Sequence, residues 1–388
     1  MPTLRGRLLV DGKLLTGTLG WEKGRITRVD TVGEIGGADL PVIAPGLVDL
    51  HVHGHGGFDP VEDVLGMATS LARAGTTAFQ PTLFPAAPER LGATCDALWR
   101  RVDELAQGAF ARVVGLHLEG PFVNPLAAGA LPVADLAAPS VAGLRAILGP
   151  ATGSGRGVRT ITLAPELPGA AELVGELARA HVRVSLGHSK ATAADARAAA
   201  RSGACGATHL FNAMPPVHHR EVGLAGFALT DAALHAEIIG DLLHVGPEMF
   251  ELALRARGPD GLCLVSDALQ GAGTGCDHFH SHGRDHVLRG GAAYYPPKKD
   301  GDEPKLAGSA MSQLEMVRLL VSRGVVGLIE ALTMASTTPA RALGLEKELG
   351  ALQLGLAADF LVLRGKELAL EAVYVAGERV GAPASKRA

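Results

Sequence analysis

With 388 residues, 47% of them hydrophobic, the chain can bury a large core, a size that suits one barrel with a smaller appended domain. Its 40 acidic residues against 36 Lys and Arg leave a net charge of −4 without a basic block, which argues against a nucleic-acid or membrane surface. Four cysteines (Cys95, Cys205, Cys263, Cys276) without CxxC spacing give neither a disulfide framework nor a zinc finger, so a reduced compartment is expected.

The chain opens with strands. Arg5 to Val10 and Arg25 to Val29 alternate apolar and polar residues around AspGly and LysGly turns, the hairpin pattern. This start reads as strand and turn rather than signal peptide, and no apolar run reaches membrane-spanning length, so a soluble cytoplasmic protein is expected. The run LeuValAspLeuHisValHisGly then ends in His51 and His53. A helix is predicted after Asp59 and Pro60, with Val61, Val64, Leu65, Ala68, Leu71 and Ala72 at helical spacing and Gly75 as its stop. Further helices are predicted over 88–107, 168–180, 192–202, 247–256, 310–323 and 327–343, each beside an apolar run. Those runs end in Glu119, His188, His209 and Asp267. Gly271 to Lys305 breaks the rhythm and reads as an irregular insertion or hairpin near the mouth. Residues 358–363 and 372–377 are short β runs, and the two termini are predicted to pair in one small sheet.

Strand-sized apolar runs alternating with helices imply a parallel sheet, and in a closed (β/α)8 barrel all strand ends meet at one face. The predicted fold is therefore α/β, a (β/α)8 barrel over 46–344 with a small β-sandwich domain from 1–45 and 345–388. Its mouth would gather residues far apart in sequence. His51 and His53, at i and i+2 on one strand, point to the same side and can grip one ion, although HxH alone also fits two merely hydrogen-bonded histidines. Imidazoles and a carboxylate are the ligands that zinc and iron accept. Glu119 follows a very apolar run, where it needs a metal or a Lys or Arg partner to offset its desolvation. His117 shares its strand face and reads either as a support for a ligand or as a satisfied core histidine. Asp267 reads as a proton acceptor for metal-activated water or as a helix cap. The run of His278, His280, His282 and His286 reads as a solvated hairpin face, and His218 and His219 as loop residues.

Taken together these motifs resemble the N-acetylglucosamine-6-phosphate deacetylases of the amidohydrolase superfamily. The resemblance covers nearly the whole chain: ProGlyLeuValAspLeuHisValHisGly, HisLeuGluGlyProPhe, GlyHisSer, ThrHisLeuPheAsnAlaMetPro, AspLeuLeuHisVal, SerAspAla, LeuAlaGlySer and ThrProAlaArgAlaLeuGly. It implies Glu119, His188 and His209 as ligands of the principal metal, Asp267 as general acid/base, and a second ion on His51 and His53. It also implies that Asn212, the Ala213 backbone, His244 and Arg220 hold a sugar phosphate, with Arg220 reaching across a homodimer. The expected activity is deacetylation of N-acetylglucosamine 6-phosphate with one or two divalent ions per chain, zinc or iron. Relatives with a carboxylated lysine on the fourth strand differ, since 159–166 holds no lysine. Leu131 stands where some members carry His or Gln to polarise the acetyl carbonyl, and leucine cannot donate a hydrogen bond. The rival readings are an amidohydrolase for another N-acetylated amino sugar or an N-acyl amino acid, and a non-catalytic barrel scaffold.

Overall fold

Eight parallel strands lie side by side in chain order: Leu47–Val52, Thr76–Leu83, Leu116–Glu119, Val158–Leu163, Arg183–Leu186, Gly206–Ala207, His235–Ile239 and Leu262–Val265. This computed structural model describes residues 1–33, 39–105, 108–149, 157–297, 299 and 303–381. Nearly every residue of these strands is buried, as helices outside and side chains inside leave no wet face. The seam between the eighth strand and the first is closed just beyond the eighth strand, where Val52 bridges Ala268 and the Asp267 N–H donates to His51 O at 2.8 Å. Lower on the seam Gln313 spans the gap, donating through Nε2 to Val48 O (2.9 Å) and Leu264 O (2.7 Å).

The helix after the first strand runs Pro60–Arg73, its first turn capped by Asp59 Oδ1, which accepts from the N–H groups of Val61 and Glu62. The helices at Ala170–Arg179, Ala193–Arg201, Pro247–Arg257 and Gln313–Ser322 fall where periodicity predicts them. That predicted over 88–107 ends at Asp103, and residues 106–107 lie outside the described residues. The segment 327–343 is not one helix but two, Leu328–Ala335 and Thr337–Ala342. Pro339 is the reason: it cannot donate to Ala335 O, and its ring would collide with that carbonyl if the helix ran on. Two helices escape the sequence pattern, Val141–Leu148 and Gly223–Thr230. The first is only two turns long, and in the second every residue from Gly223 to Leu229 is buried, so no polar face marks a period.

Seven strands from both ends of the chain build a second sheet, in which Val42–Pro45 joins Thr3–Val10 in parallel and Phe360–Arg364 antiparallel. The hairpin turns use left-handed backbone at Asp11 and Gly12 (φ 47° and 70°) and at Lys23 and Gly24 (φ 49° and 76°), the two-residue geometry that matches strand twist. The sheet curls into two layers, so that Trp21 meets Phe360 and Tyr374 at ring centroids 4.9 and 5.3 Å apart although their strands are not neighbours. The late β runs sit at Phe360–Arg364 and Ala369–Val375, one to three residues off the predicted bounds, and residues 382–388 lie outside the described residues.

The insertion is more regular than predicted. His278–Ser281, Arg284–Arg289, Ala292–Tyr295 and Lys305–Ser309 form an antiparallel sheet, though 298 and 300–302 are not among the described residues. A tight turn at His282 and Gly283 (φ 50° and 71°) explains its first hairpin. The sheet grips the loop that carries Leu131: Tyr295 Oη donates to Ala130 O (3.3 Å), and Lys305 Nζ donates to Gly129 O.

Gln313→Leu should leave two buried carbonyls at the barrel seam without a donor and cost about 2 kcal/mol or more in urea unfolding. An unchanged midpoint would mean that the seam does not depend on this side chain.

Candidate metal centre

The barrel brings together six residues that the sequence places at five apolar run ends. His51 comes from the first strand, His53 stands one residue beyond it, and Glu119 ends the third. His188, His209 and Asp267 each stand two residues beyond the fifth, sixth and eighth strands, in left-handed backbone (φ 46°, 29° and 48°). Such conformations cost of order 1 kcal/mol or more outside glycine and concentrate at functional sites.

Glu119 lies between two sets of donors. Its Oε1 is 2.9 Å from His188 Nε2, 3.0 Å from His209 Nε2 and 3.5 Å from His51 Nε2, while Oε2 is 3.3 Å from His53 Nε2. Asp267 Oδ1 lies 3.4 Å from His51 Nε2 and 3.5 Å from His53 Nε2. Glu119, His188 and His209 form one compact group of ligand atoms, and His51, His53 and Asp267 another. No Lys or Arg pairs with Glu119 among the described residues, which removes the Lys or Arg alternative for this carboxylate.

This donor set fits a divalent cation. His188 Nδ1 donates to Ala127 O (2.9 Å), which leaves its Nε2 a lone pair facing His209 Nε2 only 3.0 Å away. Facing imidazole nitrogens need a proton or a cation between them, and the same holds for His51 and His53 Nε2 at 3.3 Å. Nitrogen and carboxylate ligands without thiolates suit zinc or iron.

Electrostatics around the cluster are strongly perturbed. Burial alone would push His51 down, but Asp267, Glu119 and Glu237 outweigh it and carry the imidazole up to about 10. Burial opposes ionisation of Glu119, yet His188, His209 and His51 hold it well below the usual carboxylate range. His117 is pushed down to about 3 by burial and by His51. It is a satisfied core histidine, 2.8 Å from Thr162 Oγ1 and 3.3 Å from Thr82 Oγ1, with its ring edge-on to His51 at 4.6 Å.

A cavity of about 240 Å³ opens over the cluster, walled by Leu131, Asn212, Ala213, His244 and Lys305. His244 is oriented by Asp241 (Nδ1 to Oδ2, 2.7 Å), which raises its pKa against the effect of burial. Arg220 does not line this cavity. It is exposed, its Nη1 3.1 Å from His219 Nε2, and Glu221 is engaged by the N–H groups of Ala193 and Gly223 rather than by Arg220. A larger cavity of about 1080 Å³ lies at the opposite barrel end around Trp99 and Leu343, far from any ligand group, so ligand chemistry rather than volume marks the site.

In the insertion, His278 and His280 are exposed and His282 meets Asp59 at 3.0 Å. His286 departs from the solvated reading: it is buried and stacked on Phe279 at 4.5 Å, because the inner face of this sheet packs on the barrel mouth. Glu237 and Arg183 went unnoticed in the sequence. Both are buried on barrel strands, paired at 3.1 Å, and Glu237 Oε2 lies 3.3 Å from His51 Nδ1. The available signal was a single acid in HisAlaGluIleIle and a single base in ValArgValSer, lone opposite charges in two strands that a barrel can bring together.

The sequence pattern of the amidohydrolase family matches residues 42–380. The chain belongs to that family. The human N-acetylglucosamine-6-phosphate deacetylase is 36% identical over 96% of this chain and 94% of its own length. An N-acetylgalactosamine-6-phosphate deacetylase from Escherichia coli O157:H7 is 33% identical, covering 88% of each. A mutant N-acetyl-D-glucosamine-6-phosphate deacetylase from Mycobacterium smegmatis, in complex with N-acetyl-D-glucosamine-6-phosphate, superposes with a TM-score of 0.86 at 32% identity, over 97% of this chain and 98% of that one. This amidohydrolase is thus a metal-dependent hydrolytic enzyme, not a bare scaffold.

In metal-free protein the raised pKa of His51 favours the folded state fully below pH 6.5, and that contribution is lost as pH rises toward about 10. Asp49, pushed up to about 7 by burial, adds a decline below pH 7, whereas the depressed Glu119 and Glu237 contribute above about pH 4.5 and lose their effect toward acid. Urea midpoints of the metal-free enzyme should therefore fall between pH 7 and 10, His51 contributing at most about 1.4 kcal/mol per pH unit. His51→Asn should make that fall shallower, leaving the share of His244, raised by Asp241 against burial, and above pH 9 that of the buried Cys263 thiol; a wild-type profile no steeper than that of the variant would show His51 neutral.

Proposed function

We propose that the enzyme removes acetate from N-acetylglucosamine 6-phosphate, giving glucosamine 6-phosphate, in amino-sugar breakdown. The observation that carries this reading is the meeting of Glu119, His188, His209, His51, His53 and Asp267 beneath a cavity walled by Asn212, Ala213 and His244. The deacetylase relatives named above support the substrate class. Glu119, His188 and His209 would hold the principal ion, and His51 and His53 with Asp267 a second; zinc suits these ligands best, with iron as the alternative.

A divalent ion bound there supplies Lewis acidity to the amide carbonyl and lowers the pKa of a water. Asp267 takes the proton of the attacking water and returns it to the amine nitrogen as the C–N bond breaks and acetate leaves. Leu131, buried on the cavity wall, offers the carbonyl no hydrogen bond from its side chain, so this side chain takes no part in polarising it. Asn212, the Ala213 backbone and His244 bind the phosphate, joined by Arg220 of the partner subunit in a homodimer. Arg220 suits that role because it is exposed, free of Glu221, and able to fork onto phosphate oxygens. The four cysteines form no disulfide with one another, which supports a reducing, cytoplasmic setting, and no helix among the described residues is long and apolar enough to cross a membrane.

The test of substrate is acetate release by zinc-loaded enzyme. N-acetylglucosamine 6-phosphate should turn over far faster than the unphosphorylated sugar, and faster than the galactosamine epimer, which the E. coli relative's name makes the necessary comparison. Equal rates with and without phosphate would overturn the reading.

Asp267→Asn should keep the fold, the ion held by Glu119, His188 and His209 and much of the substrate affinity, while lowering kcat about 10²-fold or more. Arg220→Ala should raise KM for the phosphorylated substrate. Mixing the two variants should restore activity in heterodimers, where one site keeps its own Asp267 and receives Arg220 from its partner. No recovery in demonstrated heterodimers would place Arg220 outside the site.

A further inference from the structure

His51 is the only one of the four clustered histidines whose outer nitrogen faces a carboxylate. His188 Nδ1 meets a backbone carbonyl, and the Nδ1 atoms of His53 and His209 are buried without a partner among the described residues. His51 Nδ1 instead lies 3.3 Å from Glu237 Oε2, and Glu237 Oε1 accepts from Arg183 Nη1 at 3.1 Å. All three side chains are almost fully buried, on the first, seventh and fifth strands.

We infer that Glu237, held by Arg183, is a positioning residue that fixes the ring proton of His51 on Nδ1 and so makes the His51, His53 and Asp267 half of the centre able to hold an ion. The inference rests on the two-ion reading proposed above. A carboxylate has no proton to give, so the bond to His51 forms only with Nδ1 as donor. Nε2, 3.3 Å from His53 Nε2 and 3.4 Å from Asp267 Oδ1, is then the nitrogen that would give up its proton to an ion and turn its lone pair toward the ligand cluster. Arg183 is needed because a lone buried carboxylate would be costly, and because it claims the second oxygen and stops the carboxylate rotating. The anionic acceptor also makes His51 a stronger ligand than its neighbours.

The arrangement gives Glu237→Gln a specific consequence. Arg183 can only donate, so it takes the single amide oxygen and turns the amide NH2 toward His51 Nδ1. Nδ1 must then accept, and the ring proton moves to Nε2, where it blocks ligation. The glutamine is nearly isosteric, yet it reverses the tautomer.

Zinc per chain and the half-saturation of each ion are measured on full-length protein. Wild type should bind two ions. Glu237→Gln should bind the Glu119, His188 and His209 ion unchanged and the other about 10- to 100-fold more weakly. Two double variants guard against misfolding, since each replaces the buried pair by neutral groups of similar volume. Arg183→Met with Glu237→Gln frees the amide oxygen for His51 and should recover the second ion, whereas Arg183→Met with Glu237→Leu offers no acceptor and should not. A structural role alone predicts that the two doubles behave alike. Equal second-ion affinity in the doubles, wild-type affinity in Glu237→Gln, or a single ion in the wild type would each overturn the inference. Acetate release by the wild type reads the deacetylase assignment separately.

Discussion

A carboxylate buried in the mouth of an apolar barrel, with no lysine or arginine among the described residues to neutralise it, is the constraint around which the rest is arranged. Glu119 is 3% exposed and would face a desolvation cost of several kcal/mol if left alone. Its compensation comes from four imidazoles on three other strand ends, and those ends face one another because the sheet closes on itself. Closure therefore does more than bury the core. It converts scattered single residues into one set of inward-facing lone pairs that a divalent ion satisfies better than protons do.

Beneath this layer a second one fixes proton positions. His117, Thr162, Thr208 and Ser185 form an unbroken line of hydrogen bonds across the third to sixth strands. Thr162 lies on the fourth strand, which holds no lysine, and Glu119 touches both ligand groups. The Glu237 and Arg183 pair closes the polar floor on the other side of His51. Above the ligands, the insertion sheet grips the loop bearing Leu131 and meets the barrel seam through Ser309, which bridges Ala268, so the shape of the mouth depends on a segment added after the eighth strand.

The residues at the ligand cluster were legible because each ends an apolar run, and strand ends are where a barrel exposes side chains to a common mouth. Arg183 and Glu237 were not, because a charge inside a run reads as noise until topology sets the fifth strand near the seventh. The break at Ser336 was signalled by Pro339 but hidden by apolar spacing that continues through it. Gly223–Thr230 carries no amphipathic signal, and the insertion looked irregular because its hairpin residues are polar on the face turned to water. Arg220 lies on an exposed loop outside the cavity of this chain, and the role proposed for it across subunits leaves no trace in one chain.

Metal content of Glu119→Ala tests the central claim most directly. Glu119 touches both ligand groups, so the variant should fold, keep its far-ultraviolet circular dichroism, and lose both ions under loading conditions that fill the wild type. Retention of two zinc ions per chain would contradict the account, because the centre would then not depend on the carboxylate that joins its halves.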